Sequence, residues 1–268
     1  MGNNDFVYCK ALTSVRYAKA TSIGQQVFLN CNLLNNVNLD SLEHLGKQAF
    51  ANCTDLNDIY APILITISQK SFSNCYKLFS VNFVSVEVIE EDAFTNCTKL
   101  EKLDFSNLKQ IKSGAFSNCL ELESVIAANL QSIDQTAFVE CGQQVKLITR
   151  YTVHEVTGKF PTPYKRNVIL LVPESMVQTY DKKDDLLDNQ LFSYPINGCS
   201  DELLKGYNIN GQHNVAANTS VDTTSVQNNN RSLQTGDISN IIVCVGLFLV
   251  SGVLVTFLTI LLKKKFFK

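Results

Sequence analysis

Apolar residues recur along the first 149 positions in fixed columns rather than in isolated amphipathic stretches. Phe-x-x-Cys occurs at Phe6–Cys9, Phe28–Cys31, Phe50–Cys53, Phe72–Cys75, Phe94–Cys97, Phe116–Cys119 and Phe138–Cys141, always 22 residues apart. Three residues after Cys stands Leu in six copies: Leu12, Leu34, Leu56, Leu78, Leu100 and Leu122. Six residues after it stands a branched aliphatic in all seven, from Val15 and Val37 to Val125 and Leu147. Two further columns carry Leu42, Leu64, Val86, Leu108 and Leu130, then Ile23, Leu45, Ile67, Ile89, Ile111 and Ile133. A fixed period without insertions is the mark of a solenoid, in which each unit buries its apolar face only by stacking on its neighbours.

The expected unit has a short parallel strand around Asn57–Ala61 and its equivalents. A turn or short helical segment carries stretches such as Ala93–Cys97, with Phe and Cys as large and small interior groups. Seven turns at the spacing of paired strands give a stack of about 34 Å.

The unit Leu-x-x-Ile-x-x-x-Ala-Phe-x-x-Cys-x-x-Leu-x-x-Val, clearest over Leu108–Val125, resembles the BspA-like, Treponema-type class of leucine-rich repeats. The resemblance covers about residues 6–149, and Val172–Tyr180 (VPESMVQTY) resembles the segment that often closes such arrays. It implies a leucine-rich-repeat solenoid with parallel β-strands, α/β or β-rich and right-handed. Members include surface proteins of anaerobic bacteria and large families in parasitic protists such as trichomonads, so it also implies a role in adhesion to host cells, matrix proteins or other microbes.

On each strand the residues flanking the aliphatic column point outward. The column after it reads Arg16, Asn38, Tyr60, Asn82, Asp104, Ile126, and the column before it Ser14, Asn36, Asp58, Ser80, Lys102, Ser124. Solenoids bind through such a continuous face, here with Asn36, Asn38, Asp58, Tyr60, Phe79, Asn82, Lys102 and Asp104 as candidates and Tyr60 with Phe79 as an aromatic anchor for a protein ligand.

Beyond the repeats the pattern changes. Residues 150–207 depart from the period, carry Pro161, Pro163, Pro173 and Pro195, and read as a C-terminal cap with a short helix near Glu174–Leu187. Residues 208–237 are rich in Asn, Ser, Thr and Gln and read as a disordered stalk. Within 238–262, Ile241–Leu262 is uncharged and long enough for one membrane-spanning helix. The basic tail 263–268 follows. Lysines on that side place it in the cytosol and the repeats outside, at the plasma membrane. The charged end argues against a GPI signal, and Phe6 stands where a myristoylation pattern requires Ser or Thr. The first residues hold neither a signal peptide nor a cap for the first turn, which suggests a frayed turn or a gene start upstream. Without an export signal, the alternative is a tail-anchored scaffold with cytosolic repeats recruiting protein partners to an internal membrane.

Charge and chemistry narrow the function further. The chain has 23 basic and 25 acidic residues, but four lysines sit in the last six positions, leaving 19 basic against 25 acidic, a net of −6. That body is a poor nucleic-acid binder. Cysteines at seven equivalent positions read as buried thiols rather than disulfides or a nucleophile, and none has zinc-ligand spacing. His44, His154 and His213 belong to no catalytic motif. The expectation is a non-enzyme without metal, cofactor or small-molecule substrate. Asn precedes Cys at Asn30, Asn52, Asn74, Asn96 and Asn118, and reads as an inward ladder satisfying backbone groups where the coil turns. Asn52 and Asn96 also begin glycosylation sequons, but the flexible Asn218 and Asn230 are the better acceptors if the chain is exported.

Overall fold

A computed structural model describes residues 1–150, 153, 155–157, 168–173, 177 and 197–199. Each 22-residue unit makes one turn of a solenoid with two short parallel strands. One set comprises β1 (Ser14–Arg16), β3 (Asn36–Asn38), β5 (Asp58–Tyr60), β7 (Ser80–Asn82), β9 (Lys102–Asp104), β11 (Ser124–Ile126) and β13 (Val145–Ile148). The other comprises β2 (Ser22–Ile23), β4 (His44–Leu45), β6 (Thr66–Ile67), β8 (Val88–Ile89), β10 (Gln110–Ile111) and β12 (Ser132–Asp134). Register follows the sequence period, since Val15 pairs with Val37, Val37 with Ile59 and Ile59 with Val81. Like side chains stack on like, so the hydrophobic columns become the core.

Pairing in the first set breaks between β7 and β9, giving β1-β3-β5-β7 and a second sheet that begins at β9. The second set breaks between β4 and β6. The core runs through both breaks. Rings of Phe28, Phe50, Phe72, Phe94, Phe116 and Phe138 form a column with neighbouring centroids 5.1–5.5 Å apart and planes within 13°. Phe83 and Phe105 lean against that column at 34–39°.

The segment carrying Phe and Cys is a run of turns, not a helix. A helix would direct each amide along its own axis to the carbonyl four residues back. Here alternate amides point to the next turn instead: Gln48 N donates to Gln69 O (3.0 Å), Phe50 N to Ser71 O (2.8 Å) and Asn52 N to Ser73 O (2.8 Å). The intervening amides close tight turns, with Ala51 N on Gln48 O and Cys53 N on Phe50 O, both 3.2 Å. The turn closed by Ala49 N on Gly46 O (3.2 Å) and the one closed by Cys53 N on Phe50 O each hold a left-handed residue at the third position, Gln48 (φ 56°) and Asn52 (φ 60°). The column of Gln26, Gln48, Lys70 and Asp92 ends in Gly114 at φ 62°, the one residue there for which this conformation carries no steric penalty.

Strand pairing continues past residue 149. β14 (Glu155–Thr157) pairs with β12, β15 (Val168–Pro173) with β13, and β16 (Asn197–Cys199) with β15. Leu147 pairs with Leu170, a step of 23, so the loss of period in the sequence is partly a one-residue slip rather than an end of the coil. The helix expected over 174–187 falls almost wholly outside the described residues, as do the stalk and residues 241–262. Among the described residues, no helix is long and apolar enough to cross a membrane.

Candidate interaction face

In a three-residue strand the middle side chain enters the core and the outer two face away. Val37, Ile59 and Leu103 are accordingly buried. Asn36, Lys102 and Asp104 are exposed around them, and Asn38, Asp58 and Asn82 are half-buried. Tyr60 is 39% exposed at the end of β5, and Phe79, immediately before β7, is 57% exposed. Asn36 donates its amide to both carboxylate oxygens of Asp58, at 3.1 and 3.3 Å. Lys102 lies 3.3 Å from Glu123, and Ser106 donates to Asp104 at 2.6 Å. The side-chain oxygens of Asn38 and Asn82 are buried without a hydrogen-bond partner. Both residues flank Tyr60 in the cross-strand register.

The face is shorter than the outward columns suggest. Ser124 and Ile126 are buried, at 6% and 8% exposure, not displayed. Beside Ile126 the register places Ile148, also buried, and the column that is polar at Asn38 and Asn82 has become aliphatic. Sequence reasoning also missed the corner after β5, where Ile63 and Ile65 are exposed, and Tyr76 in the following turn. The unbroken run Tyr60–Ile65, in which Ile63 and Ile65 stand where the neighbouring turns have Ser41, Ser85, Glu43 and Glu87, was the available signal.

The thiols do more than fill space. Each donates to the carbonyl of the Phe in the preceding unit: Cys53 to Phe28 (3.1 Å), Cys75 to Phe50 (3.2 Å), Cys97 to Phe72 (3.1 Å) and Cys119 to Phe94 (3.2 Å). Burial pushes the thiols of Cys53, Cys75, Cys97 and Cys119 far up, and that of Cys141 up to about 12. A thiol held protonated is neither nucleophile nor metal ligand. Among the described residues, no group of three or more metal-ligating side chains converges. A shallow cavity of about 310 Å³ between Glu101, Glu121, Glu123 and Gly142 is acidic, and Glu121 and Glu123 are already paired with Lys99 and Lys102.

The Asn ladder is present, with a different bonding pattern from the expected one. Each amide donates to the preceding amide oxygen: Asn52 to Asn30 (2.8 Å), Asn74 to Asn52 (2.7 Å), Asn96 to Asn74 (2.6 Å) and Asn118 to Asn96 (2.5 Å). Backbone groups are satisfied by other backbone groups, and the side chains bond one another. The sequon hydroxyls of Thr54 and Thr98 are likewise engaged, on the carbonyls of Asn32 and Tyr76. Asn218 and Asn230 lie outside the described residues.

Two stacked parallel-strand sets on a 22-residue period define a leucine-rich-repeat solenoid, a scaffold class that works by binding other proteins. Residues 21–146 match the BspA type leucine rich repeat region in six copies, so the repeat region belongs to that family. Among solved structures, the chain is similar to a leucine rich cell surface protein from Faecalibacterium prausnitzii, with 21% identity over 59% of this chain and a TM-score of 0.48. It covers 45% of that protein. It is also similar to a leucine rich repeat protein of T. pallidum, with 24% identity, 65% of this chain, 84% of that one and a TM-score of 0.48. A leucine-rich repeat protein from Bacteroides ovatus shows 19% identity over 60% of this chain and 57% of its own, with a TM-score of 0.39. No curated protein matches the chain.

Proposed function

We propose that the chain is a cell-surface adhesion protein whose first-sheet face binds protein ligands of host, matrix or microbial origin. The observation that carries this reading is the exposure of Tyr60 and Phe79 at the centre of a polar face on a rigid stack. Large aromatics between hydrogen-bonding groups are the composition of an interface centre, where area is buried at low entropic cost. Asn36, Asn38, Asp58, Asn82, Lys102 and Asp104 surround them as the polar rim.

In this reading residues 150–207 close the coil, 208–237 hold it away from the bilayer, Ile241–Leu262 spans the plasma membrane and the lysine-rich tail stays in the cytosol. The support is the uncharged length of that segment and the basic residues directly after it. The test is antibody staining of the repeats on unpermeabilised cells, followed by adhesion of cells bearing Y60E/F79E. Surface signal and reduced adhesion are expected. Staining only after permeabilisation, with the tail protected from cytosolic protease, would overturn the topology.

A further inference from the structure

The corner that follows β5 breaks the polar pattern of the outer surface. Ile63 is 42% and Ile65 51% exposed, while Leu64 between them is fully buried, so both isoleucines stand on the outer side of the corner. Equivalent positions in the flanking turns hold Ser41 and Glu43 on one side, Ser85 and Glu87 on the other. Val84 and Val88 of the next turn are half-buried and extend the apolar surface along the stack. Val88 pairs with Thr66, the residue after Ile65. A contiguous apolar patch rimmed by polar groups has the composition of a contact surface, not of a solvated corner.

The rim of the patch is acidic, and part of its charge is unmatched. Elsewhere along the stack carboxylates are tied to lysines one turn away, as Asp55 is to Lys77, Glu87 to Lys109 and Glu90 to Lys112. Asp40 and Glu43, exposed one turn before Pro62 and Ile65, form no ion pair among the described residues. The backbone is incomplete at the same place. Glu43 N and His44 N both donate to Thr21 O, and Glu87 N and Val88 N both donate to Ile65 O. The matching bonds from Ile65 N and Thr66 N to Glu43 O are missing, at the break in pairing between β4 and β6. Two exposed isoleucines, two unmatched carboxylates and a set of backbone groups left unsatisfied by the fold thus coincide at one corner.

We propose that this corner is a second docking surface, and that its partner is an extended protein segment in which aliphatic residues alternate with lysine or arginine. The aliphatic side chains cover Ile63 and Ile65, and the cations meet Asp40 and Glu43. Charge complementarity selects this partner: the rim repels an acidic segment or an anionic lipid surface, and a purely basic segment leaves the isoleucines in water. An extended backbone also offers hydrogen bonds to the unsatisfied amides and carbonyl. The surface lies beyond the end of β5, outside the face centred on Tyr60 and Phe79, and does not depend on that face binding a ligand.

The experiment uses the full-length chain in phosphatidylcholine nanodiscs, with empty discs as the blank, and fluorescein-labelled heptapeptides read by anisotropy. An alternating Lys/Leu peptide should bind, and Glu/Leu and Lys/Ser peptides should bind at least about tenfold more weakly. I63S/I65S should weaken Lys/Leu binding by about tenfold, and D40K/E43K should reverse the preference in favour of Glu/Leu, an exchange that misfolding cannot imitate. Thermal unfolding checks that each variant is folded. No binding of Lys/Leu to wild type, equal binding of Lys/Leu and Glu/Leu, or indifference to I63S/I65S would each overturn the proposal. Recruitment of wild type but not I63S/I65S to phosphatidylserine vesicles would assign the isoleucines to a lipid surface and overturn it too. F79E, on the sheet face, should leave Lys/Leu binding within about threefold. Loss of that binding in F79E, with I63S/I65S unaffected, would place the peptide on the sheet face instead.

Discussion

The Cys75 thiol donates to the carbonyl of Phe50 at 3.2 Å, and the same oxygen accepts the amide of Cys53. One thiol thus ties the segment holding one ring to the turn above it, and the arrangement repeats along the stack. Cys75→Ala removes both a donor and the sulfur's volume from a site with no exposure. The carbonyl keeps its second partner, so the loss should be moderate, about 1–3 kcal/mol. Urea unfolding should show a lower midpoint with an unchanged slope. A wild-type midpoint in Cys75→Ala would mean the thiol is a passenger.

Alkali should unfold the protein through the same column. Burial raises five thiols from Cys53 to Cys141 above their ordinary value of 9.0. The folded state keeps these protons while the unfolded state releases them, so the unfolded state binds fewer protons in this range. Stability is therefore flat below pH 9.0 and falls above it, continuing to about 12 for Cys141. Each thiol contributes a slope of about 1.4 kcal/mol per pH unit. Measured between pH 9 and 11, Cys75→Ala should lose stability less steeply than wild type, by about one proton's worth. Equal slopes would show that these thiols do not titrate on unfolding.

The Asn ladder makes a prediction that separates backbone from side chain. Asn74 sits at φ 62°, donates to Asn52 and accepts from Asn96. Asn74→Gly relieves the backbone but deletes both bonds, and should cost about 1–2 kcal/mol. Asn74→Ala deletes both and also forces Cβ into the left-handed region, adding about 1 kcal/mol. Asn74→Asp replaces the donor by a second acceptor facing Asn52 Oδ1, and should fall between them only when protonated. Chemical denaturation at pH 4 and pH 7 orders the three; equal losses for Gly and Ala would remove the backbone argument.

How much of this was legible depends on residue period and on residue size. Columns such as Phe72 and Val81 could be placed from the sequence because a solenoid stacks identical positions, and one strand per turn followed from the alternation around Ile59. The second strand could not. Thr66–Ile67 and its equivalents are two residues long, too short for any periodicity to register. The turns at Gln48 and Lys70 were masked because Gln and Lys give no hint of left-handed backbone; Gly114, alone in that column, was the clue. Cysteine looked like a small hydrophobe, since nothing in one sequence shows that a carbonyl such as Phe50 O lies within reach. On the outward face, composition separated polar from apolar but not exposed from covered. Ile126 occupies the same repeat position as Tyr60 and is buried, with Ile148 beside it in the register.

Phe94 stands at a joint of the stack where one of the two strand sets is interrupted. Its ring lies 5.4 Å from both Phe72 and Phe116, and leans on Phe83 and Phe105 at 6.4 Å. Strand pairing of the first set is interrupted here, between β7 and β9, so the turns on either side depend on the β8–β10 pairing, core packing and the bonds of the turn segment. Phe94→Ala leaves a cavity costing about 3–5 kcal/mol. Because each turn touches only its neighbours, a lost interface uncouples the two blocks rather than weakening all turns equally. Hydrogen exchange of the variant should therefore show early opening on one side of Phe94 while the other stays protected, and equilibrium unfolding should broaden or split in two. Phe116→Ala, where both strand sets run unbroken, should lose a similar amount in one cooperative step. If Phe94→Ala also unfolds in a single sharp transition, the break in strand pairing has no energetic weight.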